Sequence, residues 1–299
     1  MKDLASKIRT LCKEKNAIIM AHYYTRPEIQ EVADFVGDSL ALAQKAKTID
    51  ADIIVLCGVH FMGETAKIIC PNKKVLVPDL NAGCSLADSC QAQDLQKFKS
   101  EHPQAMVVSY VNTTAAVKAI TDVVVTSSNA EKIVNKLPQD QEIIFGPDKN
   151  LGAYINKVTG RKMILWDGCC HVHSRFSAEE LKEYKLRYPH AIVLAHPECQ
   201  GTVLEQADVI GSTAALINYA QSHDYEQYIV VTESGILHEL QKACPDKQFI
   251  IFPNECDYMR LNTLEKLYAC LRDEQPEIIV DEQIAAKAIL PIERMLEMS

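Results

Sequence analysis

The sequence predicts an α/β protein built from three homologous domains with parallel sheets, arranged around a pseudo-threefold axis. Short β-branched apolar runs alternate with helical patterns along all 299 residues. The runs lack the period of two seen in half-buried strands, so they indicate parallel strands covered on both faces. One segment also occurs three times, at residues 17–24, 105–112 and 191–198, in steps of 88 and 86 residues. Such a repeat indicates three copies of one unit.

Eleven strands are predicted, and helical segments separate them as in βαβ units. They cover residues 17–21, 53–57, 75–77, 105–109, 123–126, 143–145, 162–166, 191–195, 208–210, 228–231 and 249–252. The repeats also share a helix that starts with a capping box, in which a cap residue precedes an acid by three positions. These boxes lie at 85–88, 177–180 and 262–265.

Each of these helices leads to a proline and then to another apolar run. The last run, 277–280, lies 86 residues after the third copy begins and predicts the start of a fourth copy. We therefore expect a tail that docks back on the first domain. The predicted domains are residues 1–86, 87–172 and 173–262, with residues 263–299 as the docking tail.

Composition excludes several classes of protein. The net charge of −9 disfavours nucleic acid and anionic membranes as partners. No signal-peptide pattern opens the chain, and the longest apolar run, 53–57, is too short to cross a bilayer. A cytoplasmic enzyme is expected, in which the eleven cysteines stay reduced. Dinucleotide, ATP and serine-hydrolase motifs do not occur.

Three of the cysteines follow the repeat. Cys84, Cys170 and Cys256 are spaced by 86 residues, and each can be supplied from the same place in its copy. Three equivalent thiolates predict a tripodal iron–sulfur or zinc centre with one open position. The other cysteines are interpreted as packing residues. Composition alone does not separate Cys169 from Cys170, but the spacing selects Cys170.

Polar residues at the carboxyl ends of the repeated strand are candidates for chemistry, because ligands of α/β sheets bind there. They are His22 and Tyr24, Tyr110 and Asn112, and His196 and Glu198. Three hydroxyl-bearing turns, at 37–39, 126–129 and 211–213, precede helical stretches and could bind anions through free N–H groups. Each turn taken singly is as well explained by helix capping.

Three other interpretations stay open. Cys170 could ligate zinc together with His171 or His173, as in a hydrolase or lyase. A non-enzymatic iron–sulfur sensor could use the same three thiolates, although no basic patch or DNA-binding helix is visible. Glu198 could be a structural cap or ion-pair partner instead of a general acid or base.

The chain resembles the quinolinate synthase family along nearly its whole length. The stretches that carry the resemblance are 21–24, 37–39, 58–67, 78–88, 110–112, 196–198 and 262–266. The resemblance implies three α/β/α domains, each giving one cysteine to a [4Fe-4S] cluster with one iron open to substrate. It also implies the condensation of iminoaspartate with dihydroxyacetone phosphate to quinolinate, with loss of phosphate and two waters, in de novo NAD synthesis.

Site residues follow from the same resemblance, position by position. Cys84, Cys170 and Cys256 match the cluster ligands, and Tyr24, Glu198 and His196 match catalytic positions. Positions that contact substrate are matched by His22, Ser39, Tyr110, Asn112, Ser127, His196, Ser212 and Thr213. Cys169 departs from the family pattern, and the extra CxxC of some members is absent from the C-terminal region. Because iminoaspartate is unstable, transient contact with an aspartate-oxidising enzyme is expected.

Overall fold

The computed structural model describes residues 2–299 and contains three parallel sheets of four strands each. The first sheet consists of β1 (Ala17–His22), β2 (Phe35–Gly37), β3 (Ile53–Cys57) and β4 (Lys74–Leu76). The second consists of β5 (Met106–Tyr110), β6 (Val123–Val125), β7 (Ile143–Gly146) and β8 (Ile164–Leu165). The third consists of β9 (Ile192–Ala195), β10 (Val209–Ile210), β11 (Gln227–Val231) and β12 (Gln248–Ile251).

Helices connect the strands throughout. Those before the second sheet are α1 (Lys2–Glu14), α2 (Pro27–Val32), α3 (Ser39–Lys47), α4 (His60–Ile69), α5 (Ser85–Ser89) and α6 (Ala92–Glu101). The next are α7 (Ala115–Lys118), α8 (Ala130–Lys136), α9 (Lys149–Thr159) and α10 (Ala178–Arg187). The last are α11 (Gly201–Leu204), α12 (Thr213–Ser222), α13 (Ile236–Ala243), α14 (Leu264–Asp273) and α15 (Glu282–Met298). Two 3-10 turns, His173–Arg175 and Met259–Leu261, precede α10 and α14.

All three sheets have the same topology, which confirms the predicted α/β class and the repeated unit. Their strand orders are β2-β1-β3-β4, β6-β5-β7-β8 and β10-β9-β11-β12, and every pairing within them is parallel. In each copy an aspartate just before the second strand accepts a hydrogen bond, 2.8 Å long, from a backbone N–H of the first strand. These equivalent residues are Asp34, Asp122 and Asp208.

Apolar side chains cover both faces of a sheet, as the uninterrupted apolar runs predict. In the first sheet, Ile19 and Val55 face α1 and α14, whereas Met20 and Ile54 face α3 and α4. All four are at most 1% exposed. Burial of such a side chain contributes about 1.5–3 kcal/mol, so the alternating faces fix the helix–sheet–helix layers.

Some local predictions were wrong. β2 was not predicted, because it is only three residues long and has a single β-branched residue. The capping box holds for Ser177, which caps α10. It fails at Ser85, because α5 begins after Cys84 and has no side-chain cap. It is shifted by one residue in α14, where Thr263 is the cap. Asn262 instead donates to the Gly58 carbonyl across the chain, at 2.9 Å.

The C-terminal segment contacts two of the three sheet units. α14 packs against α1, and the following residues pair with β4, where the Ile278 N–H donates to the Val75 carbonyl at 2.8 Å. The strand expected at 277–280 is reduced to one antiparallel bridge between Leu76 and Glu277. α15 then packs against α4, α7 and β6, so it covers the free edge of the second sheet. The predicted domain limits remain a proposal.

Candidate active site

One cavity lies where the three units meet. It collects residues from the ends of strands in all three sheets, as expected for ligand sites of α/β folds. The predicted residues that line it are His22, Tyr24, Ser39, Tyr110, Asn112, Ser127, His196, Glu198, Thr213 and the three cysteines Cys84, Cys170 and Cys256. The sequence repeat therefore marks residues that are distant along the chain and adjacent in space.

Ser212 is the predicted site residue that does not line this cavity. It is 3% exposed, and its hydroxyl accepts a hydrogen bond from the Ala215 N–H at 3.3 Å, which caps α12. Capping by Ser212 fixes the first turn of α12, and the next residue, Thr213, points into the cavity.

Each of the three thiols sits just before a helical turn. Cys84 precedes α5, and Cys170 and Cys256 each precede one of the 3-10 turns. Backbone N–H groups two or three residues further on donate hydrogen bonds to each sulfur. N–H donors of this kind stabilise charge on sulfur and are one means by which a protein tunes an iron–sulfur centre.

Burial opposes ionisation of the same thiols. It raises the pKa of Cys84 to about 12 and that of Cys256 to about 11, and it holds the pKa of Cys170 well above 9. A metal centre reverses this effect, because coordination deprotonates a thiol outright. The buried sulfurs and their N–H donors therefore fit a metal–thiolate centre, and the cysteines as a group fit an iron–sulfur enzyme.

Glu198 is 3% exposed and is held by two donors. The Tyr110 hydroxyl donates to its Oε1 at 2.6 Å, and His173 Nδ1 lies 2.9 Å from its Oε2. Burial favours the neutral acid, but His173, His196 and Tyr110 outweigh it and hold the Glu198 pKa below its usual range. Burial also lowers the pKa of His196 to about 3, so its ring is neutral near pH 7. His173 and Tyr110 therefore provide most of the stabilisation.

A chain of hydrogen bonds leads from Glu198 to Tyr24. Since Glu198 is an acceptor, His173 Nδ1 carries a ring hydrogen, and His173 Nε2 lies 2.8 Å from the Thr232 hydroxyl. The Thr232 and Tyr24 hydroxyls in turn share a hydrogen bond of 2.7 Å. Thr213 donates to that same Tyr24 oxygen at 2.8 Å. Burial raises the Tyr24 pKa well above 10, so the phenol keeps its proton.

The remaining predicted positions form the polar walls of the cavity. His22 accepts from the Tyr24 N–H at 3.1 Å, and burial lowers its pKa to about 4. Asn112 Oδ1 is a buried oxygen without a protein partner among the described residues. Ser39 is the first residue of α3, whose N-cap is Asp38. Ser127 lies on the turn before α8.

Several groups that line the cavity or bond to its residues were not predicted as site residues. Thr232 and Glu233 follow β11, and Asp148 follows β7 at the place equivalent to Glu233. These positions are also carboxyl ends of parallel strands, so the signal that marks the ends of the first strands extends to the third strand of a unit. His173 was predicted as an alternative zinc ligand, and the structure places it between Glu198 and Thr232.

A second group of potential metal ligands overlaps the thiol site. Cys170 Sγ, a ring nitrogen of His173 and a carboxylate oxygen of Glu198 lie within 4.8 Å of one another. His173 Nδ1 is 3.3 Å from the Cys170 sulfur. His171 is not part of this group, and its Nδ1 lies 3.0 Å from the Ser85 hydroxyl. The zinc interpretation with His171 as a ligand is therefore not favoured.

The three-unit α/β fold, with one cavity-lining thiol per unit and an acid–base network on a shared cavity, defines a candidate metal-dependent enzyme. Residues 6–297 match the family model described as quinolinate synthetase A protein. The chain belongs to this family, and it is an enzyme. Within residues 2–299, no helix combines the length and the apolar character needed to cross a membrane.

Full-length relatives agree with this assignment. The chain is 55% identical to a quinolinate synthase of Chloroherpeton thalassium over 99% of this chain and 95% of that protein. It is 54% identical to proteins of the same name from Microcystis aeruginosa, over 99% and 95% of the two chains, and from Synechocystis sp., over 100% and 96%. Quinolinate synthase activity is therefore supported over the whole chain.

Proposed function

We propose that this enzyme condenses iminoaspartate with dihydroxyacetone phosphate to quinolinate, releasing phosphate and two waters, as a step of de novo NAD synthesis. The observation that carries the proposal is the continuous hydrogen-bonded line from Tyr24 to Glu198 beside three equivalent thiols. The condensation needs repeated proton transfers and two dehydrations. Such a site offers a neutral phenol, a carboxylate and a metal centre within one cavity.

Cys84, Cys170 and Cys256 would hold a [4Fe-4S] cluster. When bound, a cluster with three protein ligands supplies one open iron that can act as a Lewis acid toward a substrate oxygen. The backbone N–H groups aimed at each sulfur support this assignment. A different use, zinc bound by Cys170, His173 and Glu198, has the clustered donor atoms in its favour. It would take Glu198 out of proton transfer and leave Cys84 and Cys256 without a role.

Protons would move along the side-chain network. The Tyr24 phenol, protonated because it is buried, is the natural acid, and Glu198, ionised because of its donors, is the natural base. Thr232 and His173 join the two groups by hydrogen bonds and hold them in fixed positions. The buried network keeps the reacting groups fixed and excludes side reactions with water.

Substrate charge would be met mainly by neutral groups. Hydroxyls and N–H groups at the starts of α3 and α12, together with Ser127, would bind carboxylate and phosphate oxygens. The Asn112 amide, whose buried oxygen has no protein partner among residues 2–299, is free to meet a substrate donor. Thr213 supports both tasks, since it begins α12 and donates to Tyr24.

The test is an anaerobic assay for quinolinate made from dihydroxyacetone phosphate and freshly generated iminoaspartate. We expect activity, and a brown protein with about four irons per chain. Cys84→Ser, Cys170→Ser and Cys256→Ser should each abolish iron binding and activity. The matched control is Cys169→Ser, which alters the neighbouring thiol and should keep both. A colourless protein that is active with zinc alone would refute the proposal.

Partner and location are further parts of the proposal. An unstable imine substrate implies a nearby aspartate-oxidising enzyme as its source, so transient contact is expected. A cytoplasmic location is expected, and the net charge of −9 disfavours binding to nucleic acid. Co-purification from a strain carrying a tagged copy of this chain tests the contact, and quinolinate auxotrophy on deletion tests the pathway.

A further inference from the structure

Two buried carboxylates occupy the same place in the second and third units. Asp148 lies two residues beyond the end of β7, and Glu233 lies two residues beyond the end of β11. They are 0% and 1% exposed. Neither was suggested by the strand-end comparison. Buried carboxylates are rare in proteins without a specific partner, so both need an explanation.

Each carboxylate binds the backbone of a cysteine. Asp148 Oδ2 accepts from the Cys170 N–H at 3.2 Å, and Glu233 Oε1 accepts from the Cys256 N–H at 3.0 Å. The other carboxylate oxygen ties the same group to its own loop. Asp148 Oδ1 accepts from the Leu151 N–H at 2.8 Å, and Glu233 Oε2 accepts from the Gly235 N–H at 2.6 Å. Both side chains therefore clamp a cysteine loop to a strand end.

The first unit has no carboxylate at the equivalent position. Two residues beyond β3 the chain has Val59, which is apolar and 2% exposed. The loop that carries Cys84 is attached there by a backbone bond instead, from the His60 N–H to the Ala82 carbonyl at 2.7 Å. The three cysteine loops occupy equivalent positions, but different kinds of hydrogen bond attach them to the strand ends.

The two carboxyl groups also differ in whether a cationic side chain binds them. Arg260 Nη2 donates to Glu233 Oε1 at 2.9 Å, so the negative charge behind Cys256 is paired. The bonds recorded for Asp148 come from backbone N–H groups alone. Of the two carboxyl groups, only Glu233 is therefore bonded to a cationic side chain.

We propose that Asp148 and Glu233 are positioning residues for Cys170 and Cys256, which fix the loops of these two thiols for the metal centre. The inference rests on the proposed function, because it takes the three thiols as ligands. Partners that orient ligands in this way typically change metal affinity by about 10–100-fold when they are removed. The loop of Cys84 has no such side-chain clamp.

The test uses Asp148→Asn and Glu233→Gln, with Val59→Ala as the matched control at the equivalent position of the first unit. In the anaerobic holoprotein we expect both amides to release iron to a ferrous chelator about 10–100-fold faster, whereas the control releases it like the parent chain.

The outcomes separate the two proposals. Unchanged iron release in both amides would overturn the positioning roles, as would equal effects in the Val59→Ala control. If the parent chain took up no iron, the proposed function would fail by itself. Titration of the apoprotein with Co²⁺, followed by thiolate-to-cobalt absorption, would then decide the present inference. We expect about 10–100-fold weaker binding in both amides, and an unchanged Co²⁺ affinity would refute it.

Discussion

Lys118 gives a sharp test of how the cavity wall is held. This side chain is fully buried, and its ammonium donates to the Val111 carbonyl at 2.8 Å and to the Thr113 carbonyl. It also lies 5.3 Å from the centre of the Phe61 ring. These bonds fix the turn on which Asn112 reaches the cavity. Replacement by methionine keeps most of the volume and removes the charge.

The expected effect is a change in how stability depends on pH. Burial lowers the pKa of Lys118 from 10.5 to about 8. The gap of about 2.5 pH units corresponds to about 3 kcal/mol, since one unit is worth about 1.4 kcal/mol. Between pH 8 and 10.5 the folded chain has released this proton and the unfolded chain still holds it. Stability contributed by this group therefore rises with pH in that window.

The assay is urea unfolding of the parent chain and Lys118→Met at several pH values from 7 to 10.5. The difference in unfolding free energy between the parent chain and Lys118→Met should be constant below pH 8. As pH approaches 10.5, the parent chain should gain up to about 3 kcal/mol of stability relative to the variant. The matched control is Lys132→Met on the exposed side of α8, which should show no such trend. A flat difference for Lys118→Met would refute the reasoning.

Two further substitutions probe the acid–base network. Tyr110→Phe removes the 2.6 Å donor to Glu198, so the Glu198 pKa should rise and the acid limb of the pH–rate profile should move to higher pH. An unmoved limb would contradict that role. Gly235→Ala would place a Cβ 2.8 Å from the Tyr24 Cα, so the turnover number should fall at least tenfold. Gly201→Ala, which meets nothing within 4 Å, is its control and should retain parent turnover.

The repeat explains why so much of the site could be predicted. A duplicated unit places equivalent residues around a common centre, so spacing alone selected Cys84, Cys170 and Cys256 from eleven cysteines. Parallel topology, confirmed in all three sheets, likewise made the ends of the first strands good candidates. The metal-binding, catalytic and substrate-binding roles of these residues remain predictions.

What the sequence patterns missed depends on tertiary contacts. Nothing in the sequence distinguishes Thr232 from any other threonine after an apolar strand. Its role depends on Tyr24 and His173, which lie on either side of its hydroxyl in the structure. Asp148 and Glu233 differ in side-chain length and in the number of residues that separate each of them from its cysteine, so no fixed sequence motif predicts them. Local rules failed where a longer-range contact was available, as at Asn262, which bonds to a carbonyl 204 residues away instead of capping α14.

The walls of the cavity have a consequence for how substrate arrives. Among the described residues that line it, none is a lysine or an arginine, and the chain as a whole carries a charge of −9. An anionic substrate is therefore repelled at long range and attracted only after it has entered. Salt at physiological strength shortens the reach of that repulsion to about 8 Å. Moderate ionic strength should therefore raise the association rate of an anionic substrate with this chain. An enzyme with a basic entrance attracts such a substrate at long range, and the same salt would lower its association rate.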